Sequence, residues 1–373
     1  MHPPLLTVLM AVHDGGSYLR SAIDSILAQS FTDFEFLVID DCSQDDTPAI
    51  LHSYHDERIK VFRNPERLRL TPSLNFGLQM AQGHYLARQD ADDLSFPNRL
   101  ERQLAYLMEH RSTALLGTWA EILDKDGRSM GEICPALSGT LLKWVMLFNN
   151  RITHSSIILD KEKAIHMGGY SDSMPVAQDY DLWCRLMNAY PIAILHEKLL
   201  GLRLHPESIS AKQKDAQNHY TDLVVQRNIR SFCPMDLSLQ EVRTLRSLLN
   251  RDPISDPQCI KKSSDILHDV FRAFVLRCRP SPEERKALLM HYARGVAVMA
   301  SMHANFSRKG TGVIALRAIR CGMPYAFFDK TVLSSFLKLL LGPSVAMKIH
   351  QYRYGKPSEV RTRSPHEAGK GSC

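Results

Sequence analysis

The fold follows from residues 6–12, Leu6-Thr7-Val8-Leu9-Met10-Ala11-Val12, an apolar run that ends at the turn His13-Asp14-Gly15-Gly16. An apolar run of this length bounded by turn residues predicts a buried β-strand. An amphipathic helix and a second apolar strand, Phe34 to Ile39, come next along the chain. Strands that alternate with helices at such spacings predict an α/β fold with a mainly parallel sheet.

Acidic residues follow three of the predicted strands at the point where each strand ends. These residues are Asp14, the pair Asp40-Asp41, and the cluster Asp90-Ala91-Asp92-Asp93. Open α/β sheets bind their ligands at the carboxyl ends of the strands, so this placement predicts a binding site there. For each acid taken alone, a turn or a helix cap is the competing explanation.

The cluster at 90–93 carries three carboxylates within four residues. Such carboxylates repel one another, and a divalent cation would relieve the repulsion. Magnesium and manganese prefer oxygen ligands and often bind through one or two carboxylates plus substrate phosphates. The competing interpretation is an acidic turn before the helix that Pro97 begins.

Further candidate residues lie beyond residue 150. Asp179, at the start of a predicted helix, has the position of a general base for a hydroxyl group, or of an N-cap. His205 follows a predicted strand, Leu199 to Leu204, and is a candidate for a diphosphate contact or a metal ligand. Arg203 is either a phosphate contact or a surface charge, and His154 begins another predicted strand.

Charge is distributed unevenly along the 373 residues. The formal net charge is +6, but residues 1–215 carry 21 Lys+Arg against 28 Asp+Glu, whereas residues 216–373 carry 25 against 12. The basic half is predicted to be mainly helical, and residues 332–341 form an apolar helix near many basic residues. This region is either a peripheral membrane contact or a packed helical domain with a solvated basic face. Nucleic-acid binding is not expected, because no recognition motif accompanies the charge.

Other classes lose support from absent patterns. The sequence contains no Walker A loop and no G-x-G-x-x-G after the first strand, which argues against ATPases and dinucleotide-dependent dehydrogenases. No signal peptide is recognised and no stretch of about 18 apolar residues is present. The expected location is therefore cytoplasmic, or peripheral on the inner face of the membrane.

Taken in order, these motifs resemble family 2 glycosyltransferases of the GT-A fold over about residues 6–210. The motifs that carry the resemblance are Thr7 to Gly15, Ser25 to Phe31, Phe36 to Ser43, Asn75 to Leu78, Asp90 to Asp93, Gln178 to Trp183 and Arg203 to His205. The resemblance implies a Rossmann-like, mostly parallel sheet with flanking helices. It places a catalytic domain at 1–215. Helical patterns predict a helical basic region at 216–353, and the polar composition of 354–373 predicts a disordered tail.

The resemblance also implies an activity: metal-dependent, inverting transfer of a sugar from a nucleoside-diphosphate sugar, usually a UDP-sugar, to a hydroxyl of a saccharide or lipid-linked acceptor. The cofactor would be Mn²⁺ or Mg²⁺. The implied roles are a nucleotide pocket lined by Ala11, Val12 and Asp14, a nucleobase contact at Asp41, a ribose contact at Asp92, a metal site at Asp93 with His205 nearby, a catalytic base at Asp179, and an acceptor or phosphate neighbourhood at His154 and Arg203.

The sequence departs from the family at three points: His13-Asp14 stands where Tyr-Asn is frequent, Cys42-Ser43 where Gly-Ser is frequent, and Gln178-Asp179 where Glu-Asp is frequent. Each departure keeps a functional acid. Two alternatives stay open. One is a nucleotidyltransferase, which would be expected to have a basic Gly-rich loop after the first strand. The other is a catalytically weak nucleotide-binding or scaffold module.

Overall fold

The structure is a computed structural model that describes residues 3–252, 254 and 256–303. These residues divide into two compact units, the first formed by residues 3–246 with 269–288 and the second by 247–268 with 289–303. All candidate site residues lie in the first unit. The predicted apolar helix at 332–341 and the predicted tail at 354–373 lie outside the described residues.

Strands and helices alternate through the first half of the chain, as the periodicity predicted. The strands are β1 Leu6–Val12, β2 Phe34–Asp40, β3 Ile59–Arg63, β4 Tyr85–Arg88, β5 Leu94–Ser95, β6 Leu115–Leu123, β7 Ser129–Ile133, β8 Ile158–Asp160 and β9 Ile192–Arg203. The helices up to residue 189 are α1 Leu19–Leu27, α2 Thr47–His52, α3 Leu70–Met80, α4 Arg99–Glu109, α5 Gly139–Met146, α6 Lys161–His166 and α7 Gln178–Ala189, with a short 3-10 helix at His154–Ser156.

Helices dominate the rest of the described chain. They are α8 Ile209–Lys212, α9 Lys214–Phe232, α10 Leu239–Asn250, α11 Pro257–Cys278 and α12 Pro282–His303. No helix among the described residues is long and apolar enough to cross a membrane.

The nine described strands form one sheet in the order β3-β2-β1-β4-β8-β6-β9-β5, with β7 paired to β6. The first four strands run parallel, which confirms the predicted α/β class. β8 joins this half antiparallel to β4, and β6 pairs parallel with β9. The strand predicted at Leu199 to Leu204 is the last part of the longer strand β9, whose register against β6 shifts near Trp119.

The core explains why the acidic clusters meet at one edge. Every residue of β2 is buried and β1 is buried at six of its seven positions, because helices cover both faces of the parallel sheet. In the parallel register Val12 lies opposite Asp40, and Leu9 lies opposite Arg88. The loops that follow β1, β2 and β4 therefore emerge on the same side of the sheet.

Helix α3 is held against the sheet by the Asn75-Phe76-Gly77-Leu78 motif. A Cβ atom at Gly77 would lie 2.2 Å from Leu9 Cδ1, so only glycine permits this close packing on β1. The amide of Asn75 donates to the Tyr170 carbonyl at 2.8 Å and accepts the Tyr170 N–H at 2.9 Å. This pair of bonds fixes the backbone of Tyr170, whose hydroxyl contacts His154 of the candidate site.

Two buried carboxylates connect α7, α9 and α10. Asp181 pairs with Arg185 at 2.7 Å and also with Arg227 of α9. Asp222 of α9, which is fully buried, pairs with Arg243 at 2.9 Å and with Arg246. These contacts join α9 to α7 and α10 to α9.

Candidate functional site

An open cleft of about 720 Å³ lies at the carboxyl ends of the strands. Its lining includes the Asp90–Asp93 cluster, His154, Asp179 and Arg203. The cleft therefore brings together residues that are more than 100 positions apart in the chain. The nucleotide residues predicted earlier in the chain, Asp14 and Asp41, lie in neighbouring loops outside this lining.

Asp93 is engaged inside the protein. It is 1% exposed, Ser155 Oγ donates to its Oδ2, and the Arg203 N–H donates to its Oδ1 at 2.8 Å. Burial raises its pKa well above the usual range, and the charges of Asp92 and Asp90 add to this effect. Asp93 thus joins β9 and the 3-10 helix to the acidic loop.

Asp92 points instead toward His205, with 2.9 Å between Asp92 Oδ2 and His205 Nε2. Burial raises the pKa of Asp92, followed by the charge of Asp90, and the His205 contact acts in the opposite direction. Within the described residues no group of three or more His, Cys, Asp and Glu side chains is arranged to hold a metal. One carboxylate and one imidazole do fit a cation that takes its other ligands from water and substrate phosphates.

A buried arginine stabilises the acidic loop. Arg88 is 0% exposed, and its guanidinium donates to Asp90 Oδ1 and to the Leu9 carbonyl. Burial acts to raise the pKa of Asp90, but the Arg88 charge and further contacts outweigh it, so the pKa is lowered. Asp90 therefore stays ionised beside Asp92. The Nε atom of Arg88 has no hydrogen-bond partner among the described residues.

Asp179 lies in the first turn of α7 and lines the same cleft as the acidic loop. Asn150 Nδ2 donates to its Oδ2 at 2.9 Å. Burial raises the pKa of Asp179 to about 6, and the Asn150 hydrogen bond acts to lower it. A carboxylate with this pKa is ionised at neutral pH and is a stronger base than an exposed aspartate.

His154 begins the 3-10 helix and contacts a buried aromatic group. Its Nε2 lies 3.1 Å from the Tyr170 hydroxyl, and its ring packs edge-on against Trp183 of α7. Burial lowers the pKa of His154 to about 3, and the Arg88 charge lowers it further. The imidazole is therefore neutral at physiological pH.

The sequence suggests Arg203 as a phosphate contact, but in the structure its guanidinium contacts other parts of the protein. Its Nε donates to the Asp92 carbonyl at 2.9 Å, its Nη1 reaches the backbone at residues 124 and 125, and it stacks over the Tyr18 ring at 4.6 Å. Tyr18 also contacts the His205 ring at 5.0 Å between centroids. Arg203 and Tyr18 together fix the position of the Asp92–His205 pair.

The end of β1 carries the predicted nucleotide residues. Ala11 and Val12 pair with β2, and the Val12 carbonyl accepts the Asp41 N–H at 2.8 Å. Asp14 has a positive φ of 52° and is 45% exposed, and its Oδ1 accepts the Gln44 N–H at 2.8 Å. One carboxylate oxygen of Asp14 therefore remains directed toward solvent and His13.

Asp41 organises the loop before α3. It is 4% exposed and accepts hydrogen bonds from Asn64 Nδ2 at 2.7 Å, from the Leu68 N–H at 2.8 Å and from the Arg69 N–H at 2.8 Å. Arg69 has φ 74° and ψ 176°, a region that essentially only glycine adopts without strain. The carboxylate of Asp41 thus holds a strained turn.

Replacing Arg69 by glycine is expected to stabilise the protein by about 1 kcal/mol, because strain of roughly 1–3 kcal/mol is released and the entropy cost of glycine offsets part of it. The midpoint of urea unfolding measures the change. Arg67→Gly, two residues earlier at an exposed position without positive φ, is the matched control and is expected to lose stability slightly. An equal loss of stability in both variants would show that the backbone at Arg69 is not strained.

Sequence patterns did not identify several residues that shape this site. Asn150, Ser155 and Tyr18 contact Asp179, Asp93 and Arg203, respectively, across long stretches of chain. The buried Arg88 lies two residues before Asp90, and the polar residues that follow it in the sequence gave no sign that it is fully buried. None of these residues lies in a periodic pattern that marks a contact, so only the tertiary structure brings them into view.

The chain is similar to known glycosyltransferases. Residues 7–170 match the family described as "Glycosyl transferase family 2". The O-antigen biosynthesis glycosyltransferase WbnJ of Escherichia coli is 30% identical over 222 residues, which is 58% of this chain and 85% of WbnJ. EpsE of Bacillus subtilis is 35% identical over 187 residues, 49% of this chain and 66% of EpsE, so the match spans just under two thirds of that relative.

Among solved structures, residues 1–349 of TarS from S. aureus, crystallised in complex with UDP-GlcNAc, have the same fold. The TM-score is 0.51 at 15% sequence identity, and the alignment covers 90% of this chain and 92% of the TarS chain. At this identity the likeness concerns the fold alone. It agrees with the GT-A architecture that the sequence predicted.

Proposed function

The chain belongs to glycosyltransferase family 2 and is a glycosyltransferase, and from this premise we propose that it transfers a sugar, with inversion, from a UDP-sugar to a hydroxyl of a saccharide or lipid-linked acceptor in polysaccharide or glycoconjugate synthesis. The observation that carries the proposal is the single cleft that contains both the Asp90–Asp93 cluster and Asp179. The donor diphosphate needs the acidic cluster, the acceptor hydroxyl needs a base, and the two substrates must meet in one cleft.

In the proposed reaction Asp179 removes the proton from the acceptor hydroxyl. The hydroxyl oxygen forms a bond to the anomeric carbon while the bond from that carbon to the phosphate oxygen breaks, and the nucleoside diphosphate leaves with the electron pair. Asn150 orients the Asp179 carboxylate through its 2.9 Å hydrogen bond. A pKa of about 6 leaves this base ionised at pH 7 and strong enough for proton transfer.

We assign the metal ligands to Asp92 and His205, because their side chains meet at 2.9 Å and Asp92 lines the cleft. Asp93 then acts by holding the loop in place through Ser155 and the Arg203 backbone. When bound, Mn²⁺ or Mg²⁺ would stabilise the negative charge that grows on the departing diphosphate. His154, neutral and in the cleft lining, is assigned to the acceptor side.

Asp14, Asp41 and the ends of β1 and β2 form the proposed nucleotide side. The exposed oxygen of Asp14 is available for a ribose or base contact. Asp41 acts mainly through the loop 64–69, because three protein donors already occupy most of its acceptor capacity. UDP-sugars come first in the test because the TarS fragment was solved with UDP-GlcNAc.

Release of nucleoside diphosphate from a panel of UDP-, GDP- and dTDP-sugars, with Mn²⁺, Mg²⁺ or EDTA, tests the proposal. We expect slow release from one donor that requires metal and stops in EDTA. Equilibrium binding of each donor is measured in the same samples, since an acceptor is needed for full turnover. If no nucleotide sugar bound in the presence of metal, the proposed activity would be wrong and a scaffold role would replace it.

A further inference from the structure

The cleft lining contains an arginine that the proposed reaction does not use. Arg151 is exposed, and its guanidinium makes no hydrogen bond or ion pair with any described residue. Its backbone is fixed, because its N–H donates to Met146 Sδ at 3.3 Å and the next residue, Ile152, is 3% exposed. The Arg151 side chain is therefore attached to an ordered stretch of backbone at the surface of the cleft.

The charge of the surrounding cleft makes this arginine unusual. Five carboxylates line the cleft: Asp90, Asp92, Asp93, Glu132 and Asp179. The other arginine in the lining, Arg203, is occupied by backbone carbonyls, and Glu132 pairs with Lys198 at 3.1 Å. An anionic substrate group entering this cleft would be repelled unless a cation met it, and Arg151 is the described lining residue whose positive charge is unpaired.

The position of Arg151 along the chain indicates which substrate it meets. The preceding residue, Asn150, holds the carboxylate of Asp179, the proposed base for the acceptor hydroxyl. The proposed metal ligands, Asp92 and His205, belong to other loops. Given the proposed function, we infer that Arg151 binds an anionic group, a phosphoryl or a carboxylate, on the acceptor close to the attacking hydroxyl. A guanidinium matches either group with two parallel hydrogen bonds.

Matched acceptor probes test this subsite on the full chain. Methyl glycosides of glucose, galactose and N-acetylglucosamine are compared with the same sugars as 1-phosphates, and with methyl glucuronide for the carboxylate. Each is assayed for turnover above the acceptor-free rate and for binding in the presence of the nucleoside diphosphate. We expect anionic probes to be preferred, and Arg151→Gln to lower their kcat/KM by about 10- to 100-fold while leaving methyl glycosides unchanged.

Arg151→Lys should retain part of the preference because the charge remains, and Arg272→Gln, an exposed arginine outside the cleft lining, should change nothing. Comparison of the 1-phosphates with the glucuronide identifies the anion. Equal use of neutral and anionic probes, no binding of any anionic probe, or weaker donor binding in Arg151→Gln would each overturn the inference. If the inference fails but the unchanged protein still binds the donor, the proposed function stands. If the unchanged protein does not bind the donor, both the proposed function and the inference are wrong.

Discussion

Replacing Asp179 by asparagine is expected to lower kcat by about 10²–10⁴-fold, because the proton of the acceptor hydroxyl then has no base. Donor binding should be unchanged, since the variant keeps the size and hydrogen-bonding oxygen of the side chain. The measurement is acceptor-dependent release of nucleoside diphosphate at saturating donor. Asp172→Asn, an exposed acid in the same loop region and outside the cleft lining, is the matched control and should retain full activity.

The pH dependence separates a base from a structural role. Because the base acts in its ionised form and its folded pKa is raised to about 6, activity should be full near pH 7.5 and fall by about tenfold at pH 5. The residual activity of Asp179→Asn should lack this acidic limb. If the loss of activity near pH 6 persists in Asp179→Asn, the titration belongs to another group and Asp179 is not the base.

Asp92→Ala and Asp93→Ala are expected to fail in different ways. Without Asp92, activity at a fixed Mn²⁺ concentration should fall by at least about 100-fold and more metal should be needed, because a direct ligand is lost while no buried donor is left unpaired. Without Asp93, the Ser155 hydroxyl and the Arg203 N–H lose their acceptor in a buried place, which costs roughly 1–3 kcal/mol for each group.

Thermal unfolding compares the stability of the two variants, and a Mn²⁺ titration of activity compares their metal requirement. His205→Asn should follow Asp92→Ala and raise the Mn²⁺ concentration needed for half activity without a loss of stability. If Asp93→Ala were instead fully stable and had the larger metal requirement, the assignment would return to Asp93, as the sequence motif predicted.

Much of the parallel half of the fold could be predicted from periodicity. The buried strands β1 and β2, helix α4 after Pro97 and the helices α10 to α12 follow from apolar patterns and helix-start residues that act over a few positions. β5, β7 and the unbroken course of β9 could not, because short strands depend on their partners more than on their own residues.

The sequence by itself determined the family resemblance and the α/β class and predicted a site at the strand ends, because strand ends and acidic turns are local features of neighbouring residues. Only the tertiary structure decided what each acid contacts. Asp92 and Asp93 are adjacent in sequence, yet one faces His205 and the other is buried against Ser155 and the Arg203 backbone. Consecutive side chains of a tight loop point in different directions, and the partners come from segments more than 60 residues away. Local patterns carry no information about such distant contacts, and packing alone assigns them.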